Sequence, residues 1–319
     1  MSIRYTMRQL EYLVAVGEAG GIVAAAQQVN VTAPSISAGI SHLENELGVQ
    51  LFVRHHAQGL TPTLAGRKLL DHAQMVLRQA AALRDLAGEL SGQVRGPLAI
   101  GCLSTFAQVV LPGLRRSFVA DYPEVRISQL EADQPELFSL LRQARIDVAL
   151  TYDLNLPADL KFFPMLELPP LVAVAPDHPF ADRAEVSVEE LAPLPLVLLD
   201  LPLSADYFLS FFAQKSLRAN IAERTRDMAV ARSLVANGFG YSIFNIRPLN
   251  DLAPDGQPLR FIPLAGHPRP MKMGMLMNTS LDRSSLHKAF LDAAKAWIST
   301  NSGRITGGRI QGSKAGKQP

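Results

Sequence analysis

From residue 96 onward, short apolar runs alternate with amphipathic segments at a spacing that admits few folds. "PLAIGC" reads as a strand, "FAQVVLPGLRRSFVADYP" as a helix with a proline near its first turns, and "VRISQLEA" as a strand. "PELFSLLRQARI" follows as a helix and "DVALTY" as a strand. Alternation of this kind means βαβ units on a mainly parallel sheet. "LVAVAP" and "LPLVLLDLP" fit buried strands. "AVARSLVANGFGYSIFN" reads as helix, Gly-Phe-Gly turn and strand. "RFIPLAG" and "MKMGMLMN" read as further strands, and "SSLHKAFLDAAKAWIST" as a last amphipathic helix. The fold class is α/β, with no long internal repeat.

The first 60 residues read differently, as short helices. "MRQLEYLVAVGEAG" places Leu10, Leu13, Val14 and, weakly, Gly17 at helical spacing, and "IVAAAQQV" is an alanine-rich second helix. In "VTAPSISAGISHLENELG", Thr32 is a natural N-cap, Pro34 is tolerated only in a first turn, and Gly48 is a left-handed stop. Ile36, Ile40, Leu43 and Leu47 form its apolar face, which leaves Ser35, Ser37, Ser41 and His42 on or near the other side. That side is short-chained and nearly uncharged, so it can approach a phosphate backbone or enter a groove. Two helices joined by a tight turn, the second with a small polar start, make a helix-turn-helix. "VQLFVRHHAQGLTPT" then reads as a short hairpin about Gln58-Gly59.

Residues 62–92 are rich in helix formers. Leu69, Val76, Leu83 and Leu90 recur every seven residues, with Ala73, Ala80 and Ala87 between them. The competing readings are a helix packed on its own domain and a helix–helix dimer seam; the small alanines favour the seam. Thr61 as N-cap and Pro62 at the first helical position fit its start, and Ser91-Gly92 its end.

At this point the chain resembles the LysR-type transcriptional regulators. "MRQLEYLVAV", "AAAQQVNVTAPSISAGISHLENELGVQLFVR" and "LTPTLAG" are similar to that family's winged helix-turn-helix. "FVADYPEVRISQ", "DVAL", "PDHPFADRAEVSVEELAPLPLV" and "SLVANGFGYSIF" are similar to its effector-binding domain. The resemblance begins near Met7 and runs to about residue 300. It implies two Rossmann-like subdomains joined by crossing strands, similar to periplasmic solute-binding proteins.

The expected organisation is a DNA-binding domain over 1–61, a dimerisation helix over 62–92 and an effector domain over 93–300. Subdomain I would take about 96–166 and 270–300, and subdomain II about 167–269, followed by a disordered basic tail over 301–319. The expected partners are double-stranded DNA, a small-molecule effector, a second copy through the linker helix (tetramers being usual in the family), and RNA polymerase.

In that frame Thr32 caps the recognition helix towards a phosphate, and Pro34, Ser35, Ser37, Ser41 and His42 lie at the major groove. Arg54 pairs with backbone phosphate, and Gln58 or Thr61 sits on the wing. The family often has Arg-Gln-Ile where this chain has Ala38-Gly39-Ile40. The missing arginine leaves a second reading open, a small-molecule-binding module with a degenerate DNA head. Gly39 also costs about 0.5–1 kcal/mol of helix stability relative to alanine. A commonly capping serine is Gly21 here, followed by Ile22 instead of phenylalanine.

Effector contacts are expected at the carboxyl ends of strands. The candidates are Ser104 and Thr105 after the first strand, Thr151 and Tyr152 after "DVAL", Leu203 and Ser204 after "PLVLLDLP", and Phe239, Tyr241 and Asn245 around "GFGY". The wall they form is apolar and hydroxyl-rich with no arginine cluster, which fits a small, partly hydrophobic effector.

Other classes find little support. At 319 residues, 48% hydrophobic and 19% charged, the chain has room for two or three domains with real cores. Its net charge of +2 would not by itself have pointed to DNA. It carries no Gly-x-Ser-x-Gly elbow, Walker loop or Gly-x-Gly-x-x-Gly after a strand, so an enzyme is not expected, nor any cofactor. His55 and His56 point to opposite faces of a hairpin, and no metal is expected. Cys102, the single cysteine, excludes an intramolecular disulfide. With no signal peptide and no apolar run of the ~18 residues a bilayer requires, the expected location is the cytoplasm.

Overall fold

The computed structural model describes residues 3–55, 59–89, 94–278 and 285–307, with the backbone alone at 54–55, 78 and 81–89. The chain divides into two compact units that part between Gln93 and Val94.

The N-terminal unit runs α1 (Met7–Ala19), α2 (Ile22–Gln28), α3 (Ala33–Leu47), β1 (Phe52–His55), β2 (Gly59–Pro62) and α4 (Leu64–Glu89). A reciprocal cap starts α1: Gln9 N–H donates to Thr6 Oγ1 and Thr6 N–H to Gln9 Oε1. Leu10, Leu13, Ala15 and Val16 are its buried residues, whereas Val14 is only half-buried. They meet Ala25 of α2, Ile36, Ile40 and Leu43 of α3, and Leu51 and Phe52. β1 and β2 pair antiparallel, Arg54 opposite Leu60 and Thr61 opposite Val53.

Thr61 and Pro62 therefore belong to the wing and not to the helix start. Thr63 caps α4 instead, its Oγ1 accepting from Gly66 N–H at 2.9 Å. The anticipated seam divides as well. Ala73 is buried in the unit's own core, and Leu69, Leu70 and Leu77 pack against it. Val76 is 40% exposed and Ala80 half-buried. The side chains of Leu83 and Ala87, and all of Leu90, Ser91 and Gly92, lie outside the described residues.

The α/β unit opens with β3 (Gly96–Cys102), α5 (Ser104–Val109), α6 (Leu111–Asp121), β4 (Val125–Glu131), α7 (Gln134–Arg142), β5 (Val148–Tyr152), β6 (Leu160–Leu168) and β7 (Leu171–Val174). It continues with α8 (Val188–Leu191), β8 (Pro195–Leu199), α9 (Ser204–Ala213), β9 (Asn220–Thr225), α10 (Met228–Ala236), β10 (Ser242–Phe244), β11 (Arg260–Pro263), β12 (Met271–Asn278), α11 (Ser285–Thr300) and α12 (Ser302–Thr306). One sheet has the order β4-β3-β5-β12-β6. Strand β3 runs parallel to β4 and β5, and β12 antiparallel to β5 and β6, so the sheet is mixed. The second sheet joins β9-β8 to β10-β7-β11. The join is at Tyr241, whose carbonyl accepts from Val197 N–H at 2.8 Å and whose N–H donates to Pro195 O at 3.0 Å. The chain crosses between the sheets twice, from β6 to β7 and from β11 to β12.

Several elements depart from the expected pattern, α8, α9 and β9 among them, which no sequence run announces. The anticipated first helix of this unit is two: α5 ends at Val109, and Pro112, which has no N–H to donate back into α5, lies in the first turn of α6. Strand β6, which carries Pro164, lies at a sheet edge, where a missing N–H is tolerated; the register shifts beside it between Met273 and Gly274. Residues 302–306, assigned to a disordered tail, form α12. Ile305 there is fully buried, and its carbonyl accepts from Arg247 N–H at 3.0 Å.

Ile305→Ala is therefore expected to lower unfolding stability by about 2–4 kcal/mol in a denaturant melt; a change within error would show that α12 contributes nothing to the core.

Candidate functional site: nucleic-acid interface and effector cleft

Helix α3 is capped as its sequence dictates. Thr32 Oγ1 accepts from Ser35 N–H at 3.4 Å, and the two hydroxyls lie 2.8 Å apart, so Ser35 completes the cap. Pro34, Ser35, Ala38, Ser41 and His42 are exposed, Ser37 is half-buried, and the φ of +67° at Gly48 ends the helix. His42 Nδ1 lies 3.0 Å from Gln9 Nε2. An amide nitrogen only donates, and Gln9 Oε1 already accepts from Thr6, so the neutral imidazole keeps its proton on Nε2. That leaves an outward donor of the kind that meets a phosphate or a base acceptor.

Gly39 has a packing reason. A Cβ there would lie 2.6 Å from Tyr12 Cδ2, so its absence lets α1 close onto α3. Ala38 beside it is exposed and free of that constraint. On the wing, Thr61 is exposed and the backbone of Arg54 is in place; Gln58 and His56 lie outside the described residues. Among the described residues no group of three or more His, Cys, Asp or Glu could hold a metal.

In the α/β unit, Thr105, Tyr152, Ser204, Met228, Phe244 and Asn245 line an inner cavity of about 20 Å³. Ser104, Glu131, Asp133, Gln134, Leu201 and Arg226 line an outer pocket of about 290 Å³ that shares Ser204 with it. Burial pushes the Tyr152 phenol well up, so it stays protonated. Asn245 donates through Nδ2 to Leu168 O at 2.6 Å. Gln134 donates through Nε2 to Tyr152 O at 3.1 Å and Leu154 O at 2.7 Å. At the mouth, Arg226 pairs with Asp133 at 3.2 Å, joining the end of β9 to the start of α7.

Five anticipated effector residues therefore come together: Ser104, Thr105, Tyr152, Ser204 and Asn245. Four do not. Thr151 is fully buried mid-sheet in β5, and Tyr241 is fully buried where β8 meets β10. Leu203, at φ +66°, turns the chain into α9 without lining either space. Phe239 is 52% exposed on a separate groove with Val230, Leu234 and Pro254.

The chain matches the bacterial regulatory helix-turn-helix of the lysR family over residues 7–67 and the LysR substrate binding domain over residues 91–299. The chain belongs to the LysR family. Escherichia coli K12 OxyR, a DNA-binding transcriptional dual regulator, is 31% identical over 241 residues, 74% of this chain and 78% of that protein. The Haemophilus influenzae transcriptional regulator CysB is 30% identical over 246 residues, 74% of each chain. The crystal structure of HinK, a LysR family regulator from Pseudomonas aeruginosa, aligns with a TM-score of 0.61 at 31% identity, covering 92% of this chain and 98% of that one.

This LysR-family chain is thus a DNA-binding transcriptional regulator with an effector-binding domain. Gln134, Asp133, Arg226 and Met228 escaped the sequence reading. They open the helices that follow β4 and β9, and residues at strand ends were sought only after β3, β5, β8 and the Gly-Phe-Gly turn.

Two substitutions separate packing from contact on α3. Gly39→Arg is expected to destabilise the protein by about 1–3 kcal/mol as the side chain meets Tyr12. Ala38→Arg is expected to leave stability unchanged, raise DNA affinity and steepen the log K against log salt slope by about 1. Denaturant melts and gel shifts over a salt series check both.

Proposed function

We propose that the exposed start of α3 reads duplex DNA, with His42 Nε2–H, Ser41 and Ser37 at the major groove and the Thr32 cap aimed at a phosphate. Arg54, Gln58 and Thr61 hold the wing against the backbone. The observation that carries this reading is the Gln9–His42 hydrogen bond, which fixes an outward donor on an otherwise small polar face. Gly39 is a packing choice, so the degenerate reading rests on Ala38 alone.

Two copies pair through the linker helix, with Val76, Ala80, Leu83, Ala87 and Leu90 along the seam, and dimers associate into tetramers on a pseudo-palindromic site. A ligand in the cleft shifts its closure and so the contact of the DNA-bound assembly with RNA polymerase. The setting is the cytoplasm; among the described residues no helix is long and apolar enough to cross a membrane.

Several relatives are named hydrogen peroxide-inducible genes activators. A peroxide response through a thiol would have to use Cys102, the single cysteine of this chain, and its surroundings argue against that. Cys102 is fully buried, and burial, with Glu131 nearby, pushes its thiol well up, away from the reactive thiolate. A thiol reagent is expected to leave the native protein unmodified and to label it only on unfolding; fast native labelling would return the peroxide reading.

The DNA reading is tested by gel shift and footprinting on the sequence upstream of the chain's own gene at several salt concentrations. Protection of a dyad-symmetric site that random DNA does not displace is expected. His42→Ala should weaken that binding by about 5- to 150-fold, the worth of about 1–3 kcal/mol for one specific contact. Absence of binding at low salt by the folded protein contradicts the reading.

A further inference from the structure

The polar groups of the cleft are biased in a way that the hydroxyl-rich sequence hides. Gln134 is 1% exposed and Asn245 4% exposed. Each spends its NH2 group inside the fold: Gln134 on the Tyr152 and Leu154 carbonyls, Asn245 on the Leu168 carbonyl and the Tyr207 hydroxyl. Those carbonyls fix the orientation of both amides, because a flip would set oxygen against oxygen. Their own oxygens, Gln134 Oε1 and Asn245 Oδ1, are buried and have no hydrogen-bond partner among the described residues. Gln134 is among the residues lining the outer pocket and Asn245 among those lining the inner cavity. Buried acceptors left unmatched are costly, and each asks for a donor.

The charged residues add to this bias. Glu131 and Asp133 line the mouth against a single cation, Arg226, which Asp133 already engages. Besides the remaining N–H groups of Arg226, the side-chain donors are the hydroxyls of Ser104, Thr105, Tyr152 and Ser204, and each hydroxyl also accepts. A plain carboxylate would meet two fixed carbonyl oxygens and a mouth richer in acids than in bases. A ligand that carries N–H groups beside an oxygen meets both demands: its N–H groups satisfy Gln134 Oε1 and Asn245 Oδ1, and its oxygen accepts from the hydroxyls.

We propose that the effector is a small donor-bearing molecule of the carboxamide type, and that the cleft discriminates against the matching carboxylate. This rests on the reading of the cleft as the effector site. The discriminating residues are Gln134 and Asn245.

The test uses the full-length protein and matched pairs on one skeleton, benzamide against benzoate and nicotinamide against nicotinate. Thermal melts and titration calorimetry are run at equal ionic strength. The amides are expected to raise the melting temperature with dose, and the carboxylates to leave it unchanged. With carbonyl-labelled glutamine and asparagine, the amide probe should also move the 13C resonances of the Gln134 and Asn245 side chains. Gln134→Met should abolish the amide response while the free variant still melts cooperatively; if that variant does not fold, the labelled wild-type spectrum decides alone. Carboxylates that bind as well as or better than their amides overturn the donor rule and leave the effector site standing. No response to either member of each pair, with the labelled resonances unmoved, overturns the cleft as the binding site as well.

Discussion

The cleft lies between two sheets, and among the described residues the two strand-to-strand crossings that join them, β6 to β7 and β11 to β12, are pinned by side chains from the second sheet and its helix. Asn245 donates to Leu168 O, at the end of β6. Tyr207, from α9, donates its hydroxyl to Arg269 O at 2.7 Å, just before β12. The Arg269 guanidinium reaches back 2.6 Å to Asp153, which also accepts from Lys272 N–H. Burial pushes the Tyr207 phenol up to about 12, so it remains a donor across the physiological range. Asn245 belongs to both systems, one end on a crossing and the other on the cavity wall. A ligand that engages its oxygen would therefore act on a residue that also positions a crossing, which is the route by which the proposed effector would shift closure.

The DNA-binding unit follows a different logic. Its reading face depends on what lies behind it: Gln9 orients His42, Thr32 and Ser35 cap one another, and Tyr12 fills the space over Gly39. Small side chains on α3 let α1 approach closely, and the approach in turn sets where the polar groups of α3 point. Sequence departures that look like losses in the recognition helix are in part the complement of a neighbouring aromatic ring.

Much of this was legible before any coordinates. Caps are local, so Thr32, Pro34 and Gly48 announced α3 within a residue. Strand β5 is buried along its length and β3 over most of its second half, so their apolar runs stand out. The misses have physical causes. Thr61-Pro62 mimics a helix start, but cross-strand pairing with Val53 and Phe52 outweighs that local preference. Edge strand β6 is only half-buried and carries a proline, which blurs its pattern. Ile305 sits in a glycine- and serine-rich tail whose composition hides one buried anchor. In the cleft, strand-end hydroxyls were found by rule. Gln134 was not, because its part depends on where the Tyr152 and Leu154 carbonyls lie, and that is a tertiary fact. Thr151 and Tyr241 were mistaken for lining because position along a strand does not say which side faces the cleft.

The most direct test of the account is hydrogen–deuterium exchange of the full chain with and without the DNA upstream of its gene. Slowed exchange confined in the N-terminal unit to residues 32–42 and the wing over 52–62 is expected. Unchanged exchange there, with the DNA shown to be bound, would contradict the assignment of α3 as the reading element.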